Sequence, residues 1–414
     1  MKISKKYILS IYLFFYLSLL TGFYFNEDFA GGYVQDLQIH NLLISNLFNN
    51  KILDGLLNYD KYYAPHSPVF IIYLIFLKKI FITETISKLI NLHFCLIIPI
   101  VIILCLKIRF QFKKNNLIYL LPSIIFFSPY YRSGSIWIDD NIFAIIFLSI
   151  AILFFLKYEY QNKSLLNIFL VTFFVALASY LRPIYCIFNI YFFLKFLLDN
   201  KLNKNLFIYI LFNIFLALPA FYYVFILGIN KWGTSYLFRE NIFTQLSLVS
   251  SLIFFYMIPI LIFNLKSIFK KFNLLNSVTL VIIYLLLYLF FSYERVYSGG
   301  IAYKFSNILF NNNLLFYLIA SISLLSITHI FIPKKGKIDS YLDLFLIIIL
   351  ILFEIDGVVY HETYDPLFYI VLFLMIKNDI FYKYFLNFNL KKLTIFYLFV
   401  FSFYTLSILK TLYY

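Results

Sequence analysis

Charged residues are scarce in this sequence: Asp, Glu, Lys and Arg together make up 13% of the 414 residues, about half of the roughly 25% found in soluble domains. Hydrophobic residues make up 63%, and the mean hydropathy is +0.89. A water-soluble fold has no core large enough to bury this much apolar surface. The composition therefore excludes an ordinary soluble domain and predicts an integral membrane protein.

Cysteine is rare as well, with three in the whole sequence. Cys95, Cys105 and Cys186 lie inside apolar runs, without a Cys-x-x-Cys pair or a neighbouring histidine cluster. This pattern indicates neither a disulfide framework nor a zinc site. We therefore predict no metal held by cysteine.

Acidic residues are too few to balance the basic ones, and the net charge is +15 at pH 7. In a soluble protein such a charge would indicate nucleic acid. Here the lysines lie in short loops between apolar runs, where basic residues set the orientation of a membrane protein. We therefore expect membrane lipids as surroundings and no nucleic-acid partner.

Apolar runs long enough to cross about 30 Å of hydrocarbon recur along the chain. The first follows Lys5 and Lys6 and has no small-x-small cleavage site, which predicts an uncleaved span with a cytoplasmic N-terminus. Together the runs predict an all-α, multi-pass bundle of about thirteen transmembrane helices. They lie near residues 7–25, 91–108, 117–131, 141–156, 165–181, 184–198, 206–227, 248–265, 274–291, 314–333, 341–355, 366–382 and 393–409.

Alternation of these spans places the lysine-rich loops in the cytoplasm, as the positive-inside rule requires, and predicts location in the cytoplasmic membrane. The apolar run 69–82 is left out as a full span because counting it would invert every later loop. We predict a re-entrant or interfacial helix there. The pair Lys78 and Lys79 leaves a cytoplasmic turn as the alternative.

The same topology sends most of the 19 acidic residues to the outer side, together with every arginine except Arg109. A planar guanidinium binds phosphate through two hydrogen bonds and stays charged near an apolar environment. Outward arginines at helix ends therefore suggest an anionic ligand, although snorkelling or pairing with nearby acids would also explain them. These arginines are Arg132, Arg182, Arg239 and Arg295.

The first outer loop, residues 26–67, carries the strongest candidates for chemistry. Glu27 and Asp28 follow the first span, and Asp36 begins an amphipathic helical segment. Burial at a membrane boundary raises the pKa of a carboxyl and suits it to act as a general base; the alternative is an ordinary acid in the first turn of a helix. Tyr63 and His66, near the end of the loop, are candidates for substrate contact, and an interfacial aromatic belt is the alternative.

The second outer loop places Arg132 close to the adjacent carboxylates Asp139 and Asp140. Ionisable groups at this depth are functional candidates. The two carboxylates could hold a divalent cation, orient acceptor hydroxyls, or cap the next helix.

Later outer segments supply the remaining candidates. Arg182 lies in a tight turn before Pro183, Arg295 and Lys304 belong to the outer segment 292–313, and Tyr364 lies in the segment 354–365. The acids and tyrosine of that last segment could line a sugar-sized cavity. We predict a module over residues 1–200, followed by C-terminal membrane helices over 201–414 with outer loops at 228–247, 292–313 and 354–365.

These features, in this order, resemble the GT-C superfamily of membrane glycosyltransferases, particularly the bacterial branch related to lipid A and lipopolysaccharide core sugar transferases. The resemblance covers about the first 200 residues. It rests on the acid of the first outer loop, on the aromatic and proline-rich segment with Tyr63, Pro65 and Pro68, on Ser128-Pro129 followed by Asp139 or Asp140, and on Arg182-Pro183.

The resemblance implies a GT-C-like fold and a polyprenyl-phosphate sugar as donor, with a lipid, glycan or protein as acceptor. It implies Asp36 as the base of a single inverting displacement, with Asp28 or Glu27 as competitors. Arg182, Arg132 or Lys304 would stabilise the departing lipid phosphate.

Two other classes compete with the transferase. A transporter or lipid flippase would show repeated halves or broken helices near the membrane midplane, and no convincing repeat is present. An envelope polysaccharide polymerase concentrates its function in a large late outer loop. Here the first outer loop is the long one, which favours the transferase.

Overall fold

The computed structural model describes residues 4–47, 52–59, 67–80, 83–110, 116–200, 204–226, 242–265, 274–294, 298–332, 337–353 and 358–413. Within these ranges the chain is helical, and no strand occurs. A chain in a membrane must satisfy its backbone hydrogen bonds internally, and helices do so. The predicted all-α class is confirmed for the described residues.

The chain divides into two compact units at a different place from the predicted boundary near residue 200. Unit 1 comprises Met1–Trp232 with Phe388–Tyr414, and unit 2 comprises Gly233–Asn387. The difference arises because the last helix packs against the first unit, a contact that no local sequence pattern reveals.

The described part of unit 1 contains α-helices as well as 3-10 helix at Leu117–Phe127 and Pro183–Ile187. The α-helices are α1 (Lys5–Tyr24), α2 (Tyr33–Leu47), α3 (Ile52–Leu57), α4 (Pro68–Ile80), α5 (Glu84–Cys95), α6 (Ile97–Phe110), α7 (Pro129–Trp137), α8 (Asp140–Tyr160), α9 (Leu165–Leu181), α10 (Phe188–Asn200), α11 (Lys204–Phe221, continued by a π turn Tyr222–Ile226) and, at the C-terminus, α20 (Leu390–Tyr413).

The following helices are described in unit 2, between α11 and α20 in the chain. They are α12 (Ile242–Leu261), α13 (Leu274–Phe290), α14 (Gly300–Phe310), α15 (Leu314–Phe331), α16 (Ile338–Ile351), α17 (His361–Tyr364), α18 (Leu367–Leu374) and α19 (Asp379–Leu386).

Seven described helices are long and apolar enough to cross a membrane. They are α1, the stretch Glu84–Phe110 formed by α5 and α6, α8, the stretch Lys204–Ile226, α12, α15 and the stretch Leu390–Thr411 of α20. Shorter apolar helices are Leu117–Phe127, α9 and α13. The chain is thus of the helical membrane type, while the number of about thirteen spans stays a prediction.

Two predicted spans have a more complex structure than a single helix. The run near 117–131 is a 3-10 helix that ends at Phe127, and Ser128 then caps α7 by accepting a hydrogen bond from the backbone N–H of Tyr131. The run near 366–382 breaks into α18 and α19, each 8 residues long. Between them the N–H of Lys377 donates to Asp343 (2.9 Å), a polar contact that hydropathy does not report.

In unit 1, α8 is the best-covered span, with α6 and α9 packed against it. The C-terminal helix α20 packs on the 3-10 helix Leu117–Phe127, where Phe15 of α1 stacks with Tyr397 at a centroid distance of 5.9 Å. The outward sides of α1 and α20 keep large apolar side chains exposed, Leu13 and Leu398 among them. These two helices therefore present a surface suited to lipid chains.

Candidate functional site

A buried ion pair joins the end of α1 to α7. The Nε and Nη2 atoms of Arg132 donate to Oε1 and Oε2 of Glu27, both at 2.6 Å. The two side chains are only 3% and 4% exposed. Parallel bonds of this kind are the strongest geometry for a guanidinium and a carboxylate.

The remaining donors of Arg132 are also occupied. Nη1 donates to the carbonyl of Phe126 (3.2 Å) and to Oγ of Ser18 (3.3 Å), and Nη2 donates to the carbonyl of Ser18 (3.0 Å). Burial opposes the charge, but the hydrogen bonds and the negative charge of Glu27 raise the pKa of Arg132 above its ordinary value. Arg132 thus serves Glu27 and has no guanidinium edge left for a substrate.

The C-terminal helix completes the surroundings of the pair. The hydroxyl of Tyr404 donates to Oε1 of Glu27 (3.4 Å), and its ring lies 5.1 Å from Cζ of Arg132. Oγ of Ser407 donates to the carbonyl of Phe29 (2.6 Å). Neither Tyr404 nor Ser407 was predicted as a site residue from the sequence; the available indication was the row of polar side chains at helical spacing in the otherwise apolar α20.

The chain turns sharply after α1 to bring Glu27 to Arg132. Asn26 has a φ of 52°, a left-handed conformation that asparagine tolerates, and the N–H of Glu27 donates to the carbonyl of Gly22 (2.9 Å). A Cβ at Gly22 would collide with Oε2 of Glu27 and lie 2.8 Å from Nη2 of Arg132. Gly22 is therefore required for the close approach of the pair.

Asp28 lies beside the pair and is only partly buried. Its Oδ1 accepts from the N–H of Gly31 (3.1 Å) and its Oδ2 from the N–H of Val34 (3.3 Å), close to the start of α2. Burial raises the pKa of the Asp28 carboxyl, and these N–H donors oppose the rise. A carboxyl with this balance can take up a proton more readily than an exposed aspartate.

An open cleft of about 920 Å³ runs along this region of unit 1. Its volume falls in the range of about 300–1,000 Å³ typical of small-molecule sites. Side chains of α1 form one wall, the turn that follows α1 forms the end, and side chains of α20 form the opposite wall. The lining residues include Phe14, Leu17, Ser18, Thr21, Asn26, Glu27, Asp28, Arg132, Tyr404, Ile408 and Thr411.

Asp36, the base implied by the resemblance, lies elsewhere. It occupies the first turn of α2, is partly buried, and its N–H donates to the carbonyl of Gly32 (3.0 Å). It does not line the cleft. Of the three acids predicted as candidates for the base, Glu27 and Asp28 are thus the two at the cleft.

The two carboxylates of the second outer loop begin α8. Oδ2 of Asp139 accepts from the N–H of Ile142 (3.0 Å), which makes Asp139 the N-cap, and Asp140 is buried in the first turn. Residues 129–137, predicted as part of a loop, form α7 instead. Across the described ranges no group of three or more His, Cys, Asp or Glu side chains could hold a metal ion.

Arg182 ends α9 as its C-cap, and its N–H donates to the carbonyl of Ala178 (2.9 Å). Close by, Oγ of Ser67 donates to the carbonyl of Tyr180, which joins the residue before α4 to the end of α9. Arg182 is not among the residues that line the cleft.

Unit 2 has its own buried polar cluster. The hydroxyl of Tyr256 and Nε2 of His361 are 2.6 Å apart, and Asp365 is buried one turn after His361. Burial, and then the positive charge of Lys304, lower the pKa of His361 to about 3. Tyr364 is buried and stacks on Phe368 at 5.0 Å. Lys304 and Tyr364, both predicted as candidates, therefore belong to one unit, and Lys304 lies close enough to His361 for its charge to act on that residue.

The other predicted contacts, Tyr63, His66 and Arg295, lie outside the described residues. Comparison of the chain with protein-family models, curated proteins and solved structures found no match. The resemblance to GT-C enzymes therefore stays a prediction.

Proposed function

We propose that the protein is a membrane glycosyltransferase that moves a sugar from a polyprenyl-phosphate donor to an acceptor hydroxyl by inverting displacement. The observation that carries the proposal is the Asp28 carboxyl, which lines a cleft of about 920 Å³ at the end of a membrane-spanning helix. Burial raises the pKa of Asp28. A partly desolvated carboxylate beside a ligand-sized space suits general-base chemistry on a hydroxyl.

The geometry supports Asp28 over its two competitors. Both oxygens of Glu27 are held by Arg132 at 2.6 Å, so proton uptake by Glu27 would break a buried ion pair. Asp36 does not line the cleft. In the proposed step Asp28 accepts the proton of the acceptor hydroxyl, the hydroxyl oxygen bonds to the anomeric carbon, and the bond from that carbon to the lipid phosphate breaks.

The proposed topology keeps the N-terminus in the cytoplasm and Asp28 outside the cytoplasmic membrane. Two contacts support treatment of α4 as a helix that does not cross. Ser67, just before α4, donates to the carbonyl of Tyr180 at the outer end of α9. Lys88 of α5, the helix after α4, lies 3.5 Å from the ring of Trp137, whose Nε1 donates to the carbonyl of Glu27. Both ends of α4 are thus followed by contacts on the proposed outer side. With 13 residues, α4 is about 20 Å long, short of the roughly 30 Å of hydrocarbon.

The test compares Asp28→Asn with Asp36→Asn as a matched control. Transfer from radiolabelled polyprenyl-phosphate sugars is measured in membranes that contain equal amounts of each variant. We expect Asp28→Asn to lower the rate by about 10²-fold or more, the usual contribution of a general base, and Asp36→Asn to stay within severalfold of the parent.

Loss of transfer in Asp36→Asn alone would move the base away from the cleft. No transfer by the parent protein from any polyprenyl-phosphate sugar would reject the transferase and favour a transporter or flippase.

A further inference from the structure

The walls of the cleft are helices that face outward in unit 1. Phe14 and Leu17 of α1 line the cleft and are 66% and 52% exposed. Only 17% of the apolar stretch of α1 and 22% of that of α20 are buried. In a membrane such surfaces meet lipid chains rather than water, so the cleft opens sideways into the hydrocarbon.

The length of the apolar wall matches one lipid leaflet. From Phe14 to Phe25, both lining residues, α1 rises about 16 Å. Half of the roughly 30 Å hydrocarbon layer is about 15 Å. An alkyl chain from one leaflet could thus lie along α1 while its head group reaches the turn that carries Asp28.

Among the described residues that line the cleft, the polar ones offer hydrogen-bonding groups, and the one cation is already paired. Among the described lining residues, Arg132 is the only cation, and Glu27 neutralises it through two bonds of 2.6 Å. Asp28 adds a negative charge, and Asn26 and Thr411 add an amide and a hydroxyl. A phosphate head group would meet a carboxylate there without a compensating charge, which disfavours it.

We propose that this cleft binds a lipid whose head group is uncharged and rich in hydroxyls, and that this lipid is the acceptor and not the lipid-phosphate donor. Its hydroxyls would donate to Asp28, and its chain would lie against Phe14 and Leu17. The role as acceptor rests on the proposed transferase function, whereas the binding preference rests on the cleft alone.

The test uses three photoreactive probes with the same acyl chains: glucosyl-diacylglycerol, phosphatidic acid and a diacyl trimethylammonium lipid. The full chain is reconstituted in nanodiscs, and covalent label on α1 and α20 is measured by mass spectrometry. The specific label is the part that disappears when excess unlabelled glucosyl-diacylglycerol is present. We expect label from the neutral probe to exceed label from phosphatidic acid by about tenfold, equivalent to about 1.4 kcal/mol. The trimethylammonium probe is attracted by the charge of Asp28 but has no hydroxyl to donate to it, so its label should not exceed that of the neutral probe.

Three variants locate the effect. Leu17→Trp fills the cleft and should lower the specific label from the neutral probe by about tenfold. Leu9→Trp, on an exposed part of α1 outside the cleft, should leave that label unchanged. Asp28→Asn should bring phosphatidic acid label to within about twofold of the neutral label, because the repelling charge is gone.

Equal label from all three probes, stronger label from either charged probe, or unchanged label in Leu17→Trp would overturn the proposal. These outcomes do not depend on transfer activity. If labelling is as expected but Asp28→Asn transfers sugar at the full rate, the lipid site stands and Asp28 is rejected as the base. If labelling fails but Asp28→Asn loses transfer, the lipid site is rejected and Asp28 stands as the base.

Discussion

The buried ion pair between Glu27 and Arg132 gives a stability prediction that the structure makes quantitative. Glu27→Gln leaves the guanidinium of Arg132 charged at a site where the two side chains are 4% and 3% exposed. Removal of one partner from such a pair costs about 3–5 kcal/mol, because the other charge stays buried and uncompensated. We expect a loss of unfolding free energy of this size.

A double variant separates the pair from its surroundings. Glu27→Leu with Arg132→Met leaves no charge behind, so the loss in the double variant should be smaller than the sum of the losses in Glu27→Leu and Arg132→Met alone by about 1–3 kcal/mol. Unfolding free energies are measured by titration of the purified protein with SDS in mixed detergent micelles, at matched lipid content. The cycle then reports the coupling between the two side chains.

The exposed pair of Lys337 and Asp379 provides the matched control. Its nitrogen and oxygen are 3.3 Å apart, but the side chains are 56% and 43% exposed. Asp379→Asn should therefore cost less than about 1 kcal/mol. A loss below about 1 kcal/mol for Glu27→Gln as well, or strict additivity in the cycle, would refute the argument that the pair is buried and coupled.

Three further outcomes are expected. Gly22→Ala should destabilise the protein by about 1–3 kcal/mol in the same titration, and should cost less in a Glu27→Ala background, where the carboxylate that its Cβ would meet is gone. The pKa of His361 falls from its ordinary value near 6.5 to about 3 on folding. The contribution of His361 to stability should therefore be full above about pH 6.5 and decline by up to about 5 kcal/mol as the pH falls to about 3; thermal unfolding across this range should show a smaller slope in His361→Gln than in the parent. Ser407→Ala should lower the free energy of unfolding by about 1 kcal/mol, because it removes the hydrogen bond to the carbonyl of Phe29. It should also transfer sugar more slowly than the matched variant Ser402→Ala, whose hydroxyl donates to the carbonyl of Leu398 within α20.

The sequence was sufficient for the class of fold and for several helix limits. The apolar runs near 7–25, 141–156 and 165–181 correspond to α1, α8 and α9 within a few residues. These limits are predictable because they depend on local chemistry: a run long enough for the hydrocarbon layer and polar residues at its ends, as at Asp139.

Contacts between distant parts of the chain could not be predicted. Glu27 and Arg132 are 105 residues apart, and Tyr404 reaches Glu27 across 377 residues. Glu27 and Arg132 were each visible as a charged group near the end of an apolar run, but hydropathy does not say which ends meet. The resemblance likewise favoured Asp36 as the base, with Asp28 as a competitor, whereas in the structure Asp28 lines the cleft and Asp36 does not.

Hydropathy also fails where an apolar segment owes its structure to its partners. The run near 366–382 is apolar up to Lys377, yet its first helix, α18, already ends at Leu374. The following N–H groups bond to Asp343 and to the side chain of Asn378. Such breaks depend on side chains that arrive from other helices, so they belong to the tertiary structure.

The position of α20 at the far end of the chain has a consequence for biosynthesis. Every residue of unit 2 is synthesised before Tyr404 and Ser407, which complete the surroundings of Glu27. At about 5–20 residues per second, roughly 10 to 60 s separate the emergence of Trp137 from that of Tyr404. During this interval the side of the Glu27 and Arg132 pair that Tyr404 later contacts is without that cover.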